Sequence, residues 1–139
     1  MVRSENIETK LNFLRSCLKK LDRYRSMAFA EIATNDDLRG ALERYLYLAT
    51  QSAIDLVEML CKLKSYGKAE SMAGAVELLF KNGVIDQELY SKLVKMVSFR
   101  NYLAHGYEKL DYKVVEEVLR DHLGDLKLLG EIVEKEISG

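Results

Sequence analysis

The run Ser98-Phe99-Arg100-Asn101-Tyr102-Leu103-Ala104-His105-Gly106-Tyr107 puts an arginine, an amide, one of only two histidines and two tyrosines into ten residues. It lies where a helical pattern meets a glycine. The apolar residues Leu89, Leu93, Met96, Val97, Tyr102 and Leu103 keep helical spacing up to it, with Asp86 as a cap at the start. At about 100° per residue, Asn101 and His105 share one face, Arg100 and Tyr107 line up seven apart, and His105 sits about 140° from Arg100. One straight helix would splay the arginine and the histidine. Either the helix breaks near Gly106 and Tyr107 swings back, or the same segment of a second copy completes the cluster.

Outward from this stretch the same periodicity recurs. Ile7, Leu11, Leu14, Leu18 and Leu21 form the stripe of a first long helix with Ser4 as its cap. A short turn or helical fragment follows around Met27–Ala33. Thr34-Asn35-Asp36 opens a second long helix that keeps period through Leu38, Leu42, Tyr45, Ala49, Leu56 and Leu60 to Leu63, with Gly67 as its stop. Ser71 opens a shorter helix from Met72 to Phe80 that Asn82-Gly83 closes. Asp111 caps a last helix carrying Val114, Val118, Leu126, Leu129, Ile132 and Val133. No strand-like alternation, hairpin turn or glycine-rich phosphate loop interrupts this series. The fold class expected is all-α: an antiparallel four-helix bundle with an additional short helix, in one domain spanning 1–139.

Composition bounds the function. The chain has 139 residues, 48% of them apolar, no proline or tryptophan and a net charge of −1. It lacks the global basic footprint of a non-specific nucleic-acid binder, so any RNA contact is local. Cys17 and Cys61 stand far apart without metal-ligand spacing, and both are expected to be reduced core residues. No apolar stretch reaches membrane-spanning length, which points to the cytoplasm. Charge is uneven within the chain. Residues 1–25 hold seven Lys and Arg against three acids, with Arg15, Lys19 and Arg23 on one face, whereas residues 116–136 hold seven acids against three bases. The two helices suit one another as neighbours. The Arg15, Lys19 and Arg23 stripe reads first as a solvated face and second as a phosphate track. Gln51 and Asp55 make an i,i+4 polar pair in an otherwise apolar helix, either a buried hydrogen-bonded pair or part of a site. His122, flanked by Asp121 and Asp125, decorates a helix face.

The run Phe99 to Tyr107 followed by Asp111 resembles the Arg-x-x-x-x-His-x-Tyr signature of HepT-type toxins in the HEPN superfamily. The likeness extends to the Arg44 to Asp55 stretch with Gln51 and Asp55, to the Tyr66 to Leu78 segment, and to Gly83 and Ile85. What the resemblance implies is a homodimeric helical bundle that cleaves RNA without a metal or other cofactor, the motif segments of two protomers facing each other. Arg100 would bind the scissile phosphate and His105 would transfer the proton, with Asn101 in support. Tyr107 matches the acceptor of AMP groups from a nucleotidyltransferase antitoxin, an enzyme this chain cannot itself be, since it has no Gly-Ser and Asp-x-Asp cluster. The second reading is a non-catalytic helical subunit that docks such a transferase and presents a nucleotide or polyanion to it.

Overall fold

The computed structural model describes residues 2–105 and 110–138, all helix and connecting turns with no strand among them. The first helix, α1, runs Val2–Arg25 and turns its Ile7, Leu11, Leu14, Cys17 and Leu21 stripe inward. It begins two residues before Ser4, which therefore lies within the helix rather than capping it. A single short helix, α2 (Phe29–Ala33), plugs Ile32 into the core. The 28-residue α3 (Asp36–Leu63) is the central element. Asn35 caps it, its side chain accepting from the amides of Asp37 and Leu38. Eleven of its residues are buried, so apolar side chains leave from more than one face. That breadth lets α3 pack against α1, α2 and three helices further along the chain.

The short α4 (Met72–Lys81) has Ser71 as its cap, and α5 (Gln87–Ala104) has Asp86, which accepts from the Leu89 amide at 2.8 Å. The last helix starts at Asp111, whose carboxylate accepts from the Lys113 amide. It comprises α6 (Tyr112–Glu117), one π turn (Val118–His122) and α7 (Leu123–Ser138), following one another without a break. The three partners of α3 beyond α2 are thus α4, α5 and α7. Among the described residues four long helices form the bundle, with the expected short helix α4 beside them and a single helical turn or so, α2, where the 27–33 fragment was expected. The buried apolar residues make a single cluster drawn from every helix. Cys17 and Cys61 are both buried and unpaired.

The basic α1 and the acidic α7 are neighbours, as their compositions suggest, joined by the two-pronged pair of Arg15 with Glu134 at 3.0 and 3.2 Å. That fork holds the Glu134 carboxyl below the usual carboxylate range. Arg15 is therefore engaged within the chain, so the Arg15, Lys19 and Arg23 stripe is not an unbroken track for phosphates. Phe99 is 7% exposed and belongs to the chain's own core, with Tyr102 and Leu103 packed partly against that core.

Candidate active site

Arg100 leaves α5 on the side facing α3 and is half-buried there. Its three nitrogens each find a different acceptor. Nε donates to Gln51 Oε1 at 2.6 Å, one Nη to Asn101 Oδ1 at 2.9 Å and the other to the Tyr47 hydroxyl at 3.3 Å. The guanidinium carbon also lies 5.5 Å from the Tyr47 ring centroid. All three acceptors are neutral. No carboxylate lies within ion-pair distance of Arg100 among the described residues.

The neighbouring carboxylate explains how that comes about. Asp55, one turn beyond Gln51 on α3, accepts from Gln51 Nε2 at 2.8 Å and pairs with Lys10 of α1 at 3.2 Å. An arginine can only donate, so Gln51 must offer its carbonyl oxygen to Arg100 and is left with its amide hydrogens for an acceptor. Asp55 supplies that acceptor and fixes the amide's orientation, while Lys10 balances the acid's charge. The result is a relay across three helices that fixes the guanidinium without neutralising it. The i,i+4 pair read from the sequence is thus part of the site's scaffold, half-exposed rather than buried.

Asn101 and His105 take different places from the motif's ideal-helix picture. The Asn101 side chain accepts from Arg100, so in this chain it braces the arginine. The helix ends at Ala104, and His105 is its C-terminal cap, its amide donating to the Asn101 carbonyl at 3.1 Å. The imidazole is exposed and makes no hydrogen bond or ion pair with a described residue. No hydrogen bond joins Arg100 to His105, in keeping with the splay expected of one helix. Tyr107, with Gly106, lies outside the described residues. The chain on either side is nevertheless tied together, since the Asp111 amide donates to the Tyr102 hydroxyl at 2.6 Å.

From the sequence Arg44 stands only at the head of the Arg44 to Asp55 stretch and Tyr47 inside it, neither with a role. The available signal was the continuation of the Gln51 and Asp55 stripe up α3, because Arg44, Tyr47, Gln51 and Asp55 recur at spacings of three and four. His122, by contrast, has more company than its sequence neighbours suggested. It is half-buried, 3.6 Å from both Glu117 and Asp125, beside a cavity of about 140 Å³ that Lys92 and Phe99 also line. Larger concavity lies elsewhere, in a groove of about 450 Å³ between α1 and α7 lined by Leu14, Lys19, Gly124 and Lys127. Among the described residues no group of three or more His, Cys, Asp and Glu could hold a metal ion, and no helix is long and apolar enough to cross a membrane.

Known proteins share both the sequence and the fold. The model of the ribonuclease HepT-like family matches residues 14–132. The mRNA nuclease HepT of Shewanella oneidensis is 24% identical over 130 residues, which cover 94% of this chain and 97% of the relative. The tRNA nuclease HepT of Aphanizomenon flos-aquae is 31% identical over 106 residues, covering 76% and 71% respectively. Among solved structures, the tri-AMPylated HEPN toxin of Shewanella oneidensis, in complex with an MNT antitoxin, superposes with a TM-score of 0.84 at 23% identity over 93% of this chain and 96% of that one. With the bundle and the motif-bearing α5 inside the matched span, the chain belongs to the ribonuclease HepT-like family.

Proposed function

We propose that this protein is a metal-independent endoribonuclease, the toxin of a toxin–antitoxin pair, working as a homodimer and neutralised by AMP transfer from a nucleotidyltransferase antitoxin. The observation that carries the reading is Arg100: a half-buried guanidinium held by three neutral acceptors, its charge left for an anion. The relatives support it, being named as an mRNA nuclease and a tRNA nuclease, with the Shewanella toxin solved alongside its antitoxin. The whole of 1–139 acts as one helical domain, in the cytoplasm where its RNA substrate is found.

In this mechanism a ribose 2′-hydroxyl attacks the adjacent phosphorus, the 5′-oxygen leaves, and a 2′,3′-cyclic phosphate remains. Arg100 stabilises the charge that develops on the phosphoryl oxygens through the one N–H on each Nη that its three neutral acceptors leave over. His105 moves the proton, its exposed position at the end of α5 giving it access to substrate. Asn101 and Gln51 hold the arginine. The two-fold dimer sets the motif segments of both protomers around one cleft, so that the arginine of one and the histidine of either serve the same phosphate. Tyr107 is the AMP acceptor. Each added AMP brings a phosphodiester charge to the neighbourhood of Arg100 and occupies the phosphate site, with the dimer intact.

The test is RNA cleavage by the purified chain without its partner, in the presence of EDTA. Cleavage should persist and yield 2′,3′-cyclic ends, and His105→Ala or Arg100→Ala should each lower the rate by at least about 100-fold while the helical circular dichroism is kept. Co-expression with the transferase should add whole AMP masses that vanish in Tyr107→Phe. A folded chain that cleaves no RNA while still binding the transferase would be the non-catalytic docking subunit instead.

A further inference from the structure

We propose that Arg44 and Tyr47 extend the Arg100 site into a two-arginine subsite for the RNA backbone, in which Arg44 holds a second phosphodiester beside the one on Arg100. The inference rests on the ribonuclease reading above and deepens it by assigning a substrate-binding residue outside the motif helix.

Tyr47 is the link between the two arginines. The guanidinium carbon of Arg44 lies 6.0 Å from its ring centroid, and that of Arg100 lies 5.5 Å from the same point. The Tyr47 hydroxyl, in addition, accepts from Arg100. Two cations are thus gathered on one ring. Contact with a π face offsets part of their repulsion, but the ring carries no net charge to cancel theirs. Two acids of α3 are engaged elsewhere. Glu43 accepts from the Tyr112 hydroxyl, and Asp55 from Gln51 and Lys10. Among the described residues neither arginine has a carboxylate at ion-pair distance, whereas Arg15, Arg25 and Arg120 pair with Glu134, Asp22 and Glu116.

Such a pair is suited to a polyanion with regularly spaced charges. Arg100 is half-buried and braced on three sides, which fits the phosphate that reacts. Arg44 is exposed and, beyond the ring, makes no hydrogen bond or ion pair with a described residue, so its fork is able to follow a phosphate on a flexible strand. One tyrosine ring therefore spaces a fixed phosphate site from an adaptable one.

The experiment uses the full chain and a single-stranded RNA with 2′-O-methyl riboses throughout, which lacks the attacking hydroxyl and is not cleaved. Fluorescence anisotropy across a salt series should show Arg44→Gln weakening binding about 10-fold and reducing the log–log salt slope by about 0.7, the share of one phosphate contact on a single strand. Arg44→Lys should keep the slope, and Arg23→Gln, an exposed arginine of α1, should change neither quantity. Binding and slope unchanged in Arg44→Gln, with Arg100→Ala still weakened, would overturn the second subsite and leave the ribonuclease reading standing. An equal loss in Arg23→Gln would overturn it too, as a mere effect of net charge. If Arg100→Ala also binds normally and the wild-type chain cleaves no RNA, the reading itself falls, and this inference with it.

Discussion

Arg100 shows how one side chain can be fixed and still left reactive. Its nitrogens meet an amide oxygen, a second amide oxygen and a phenol, three separate points that match the guanidinium's planar fork. A lysine has one nitrogen and no such fork. Arg100→Lys should therefore keep the charge yet lose at least about 10-fold in kcat/KM for RNA, measured from initial cleavage rates. Tyr112 offers a second residue-scale test. Burial and the Glu43 carboxylate push its phenol up to about 12, although the Arg39 guanidinium, 4.6 Å from the ring centroid, acts the other way. The phenol's folded value lies above its ordinary one near 10, so its contribution to stability is intact below pH 10 and is lost as pH rises from 10 towards 12. Burial also raises Tyr24 and Tyr66, so in a tyrosinate absorbance titration Tyr112 should be the last of the eight tyrosines to ionise, and Tyr112→Phe should remove that last step.

At the scale of the element, the ends of α3 and α4 make the same turn with different residues. After α4 the Val84 amide donates to the Leu79 carbonyl and Gly83 to Phe80, with Gly83 at φ +75°. After α3 the Tyr66 amide donates to Cys61 and Ser65 to Lys62, with Ser65 at φ +56°. The left-handed position of this terminator strongly favours glycine. Gly67, the expected stop, lies two residues further along at φ +111°. Ser65→Gly should thus stabilise the fold by about 1 kcal/mol, seen as a rise of a few degrees in thermal denaturation, and Gly83→Ala should lower stability by a similar amount. The π turn at 118–122 is another local event in a long helix. There Arg120 reaches across to the carbonyls of Arg25 and Met27, fastening the last helix to the turn after α1.

For the whole molecule, the contact between α1 and α7 decides what a side chain on the last helix costs. A β-carbon on Gly130 would stand 3.2 Å from Leu11 Cδ1, whereas one on Gly124 would meet nothing within 4 Å. The two helix glycines should respond in opposite directions. Gly124→Ala should stabilise by roughly 0.5–1 kcal/mol through helix propensity alone. Gly130→Leu should destabilise by about 1–3 kcal/mol, because the added carbons must force two packed helices apart. Chemical denaturation of the two variants checks both signs. If Gly130→Leu were as stable as the wild type, the close approach of α1 and α7 would be disproved.

The amino-acid sequence by itself determined the helical class, the long helices and most of their caps. Asn35, Ser71, Asp86 and Asp111 were legible because capping and helical periodicity are local, set by residues a few positions apart. It also singled out Arg100, Asn101 and His105 as a group, and Gln51 with Asp55 as a pair. That these two groups belong to one arrangement was decided only by the tertiary structure. Gln51 and Arg100 are 49 positions apart in the chain, and it is the packing of α5 on α3 that brings them to 2.6 Å. The same holds for Lys10 on Asp55 and for Arg15 on Glu134. No periodicity marks the π turn, and Ser65 gave no glycine to read, so both had to come from the fold. Local spacing assigns a residue to a face of its helix; which charge that face meets depends on the helix packed against it.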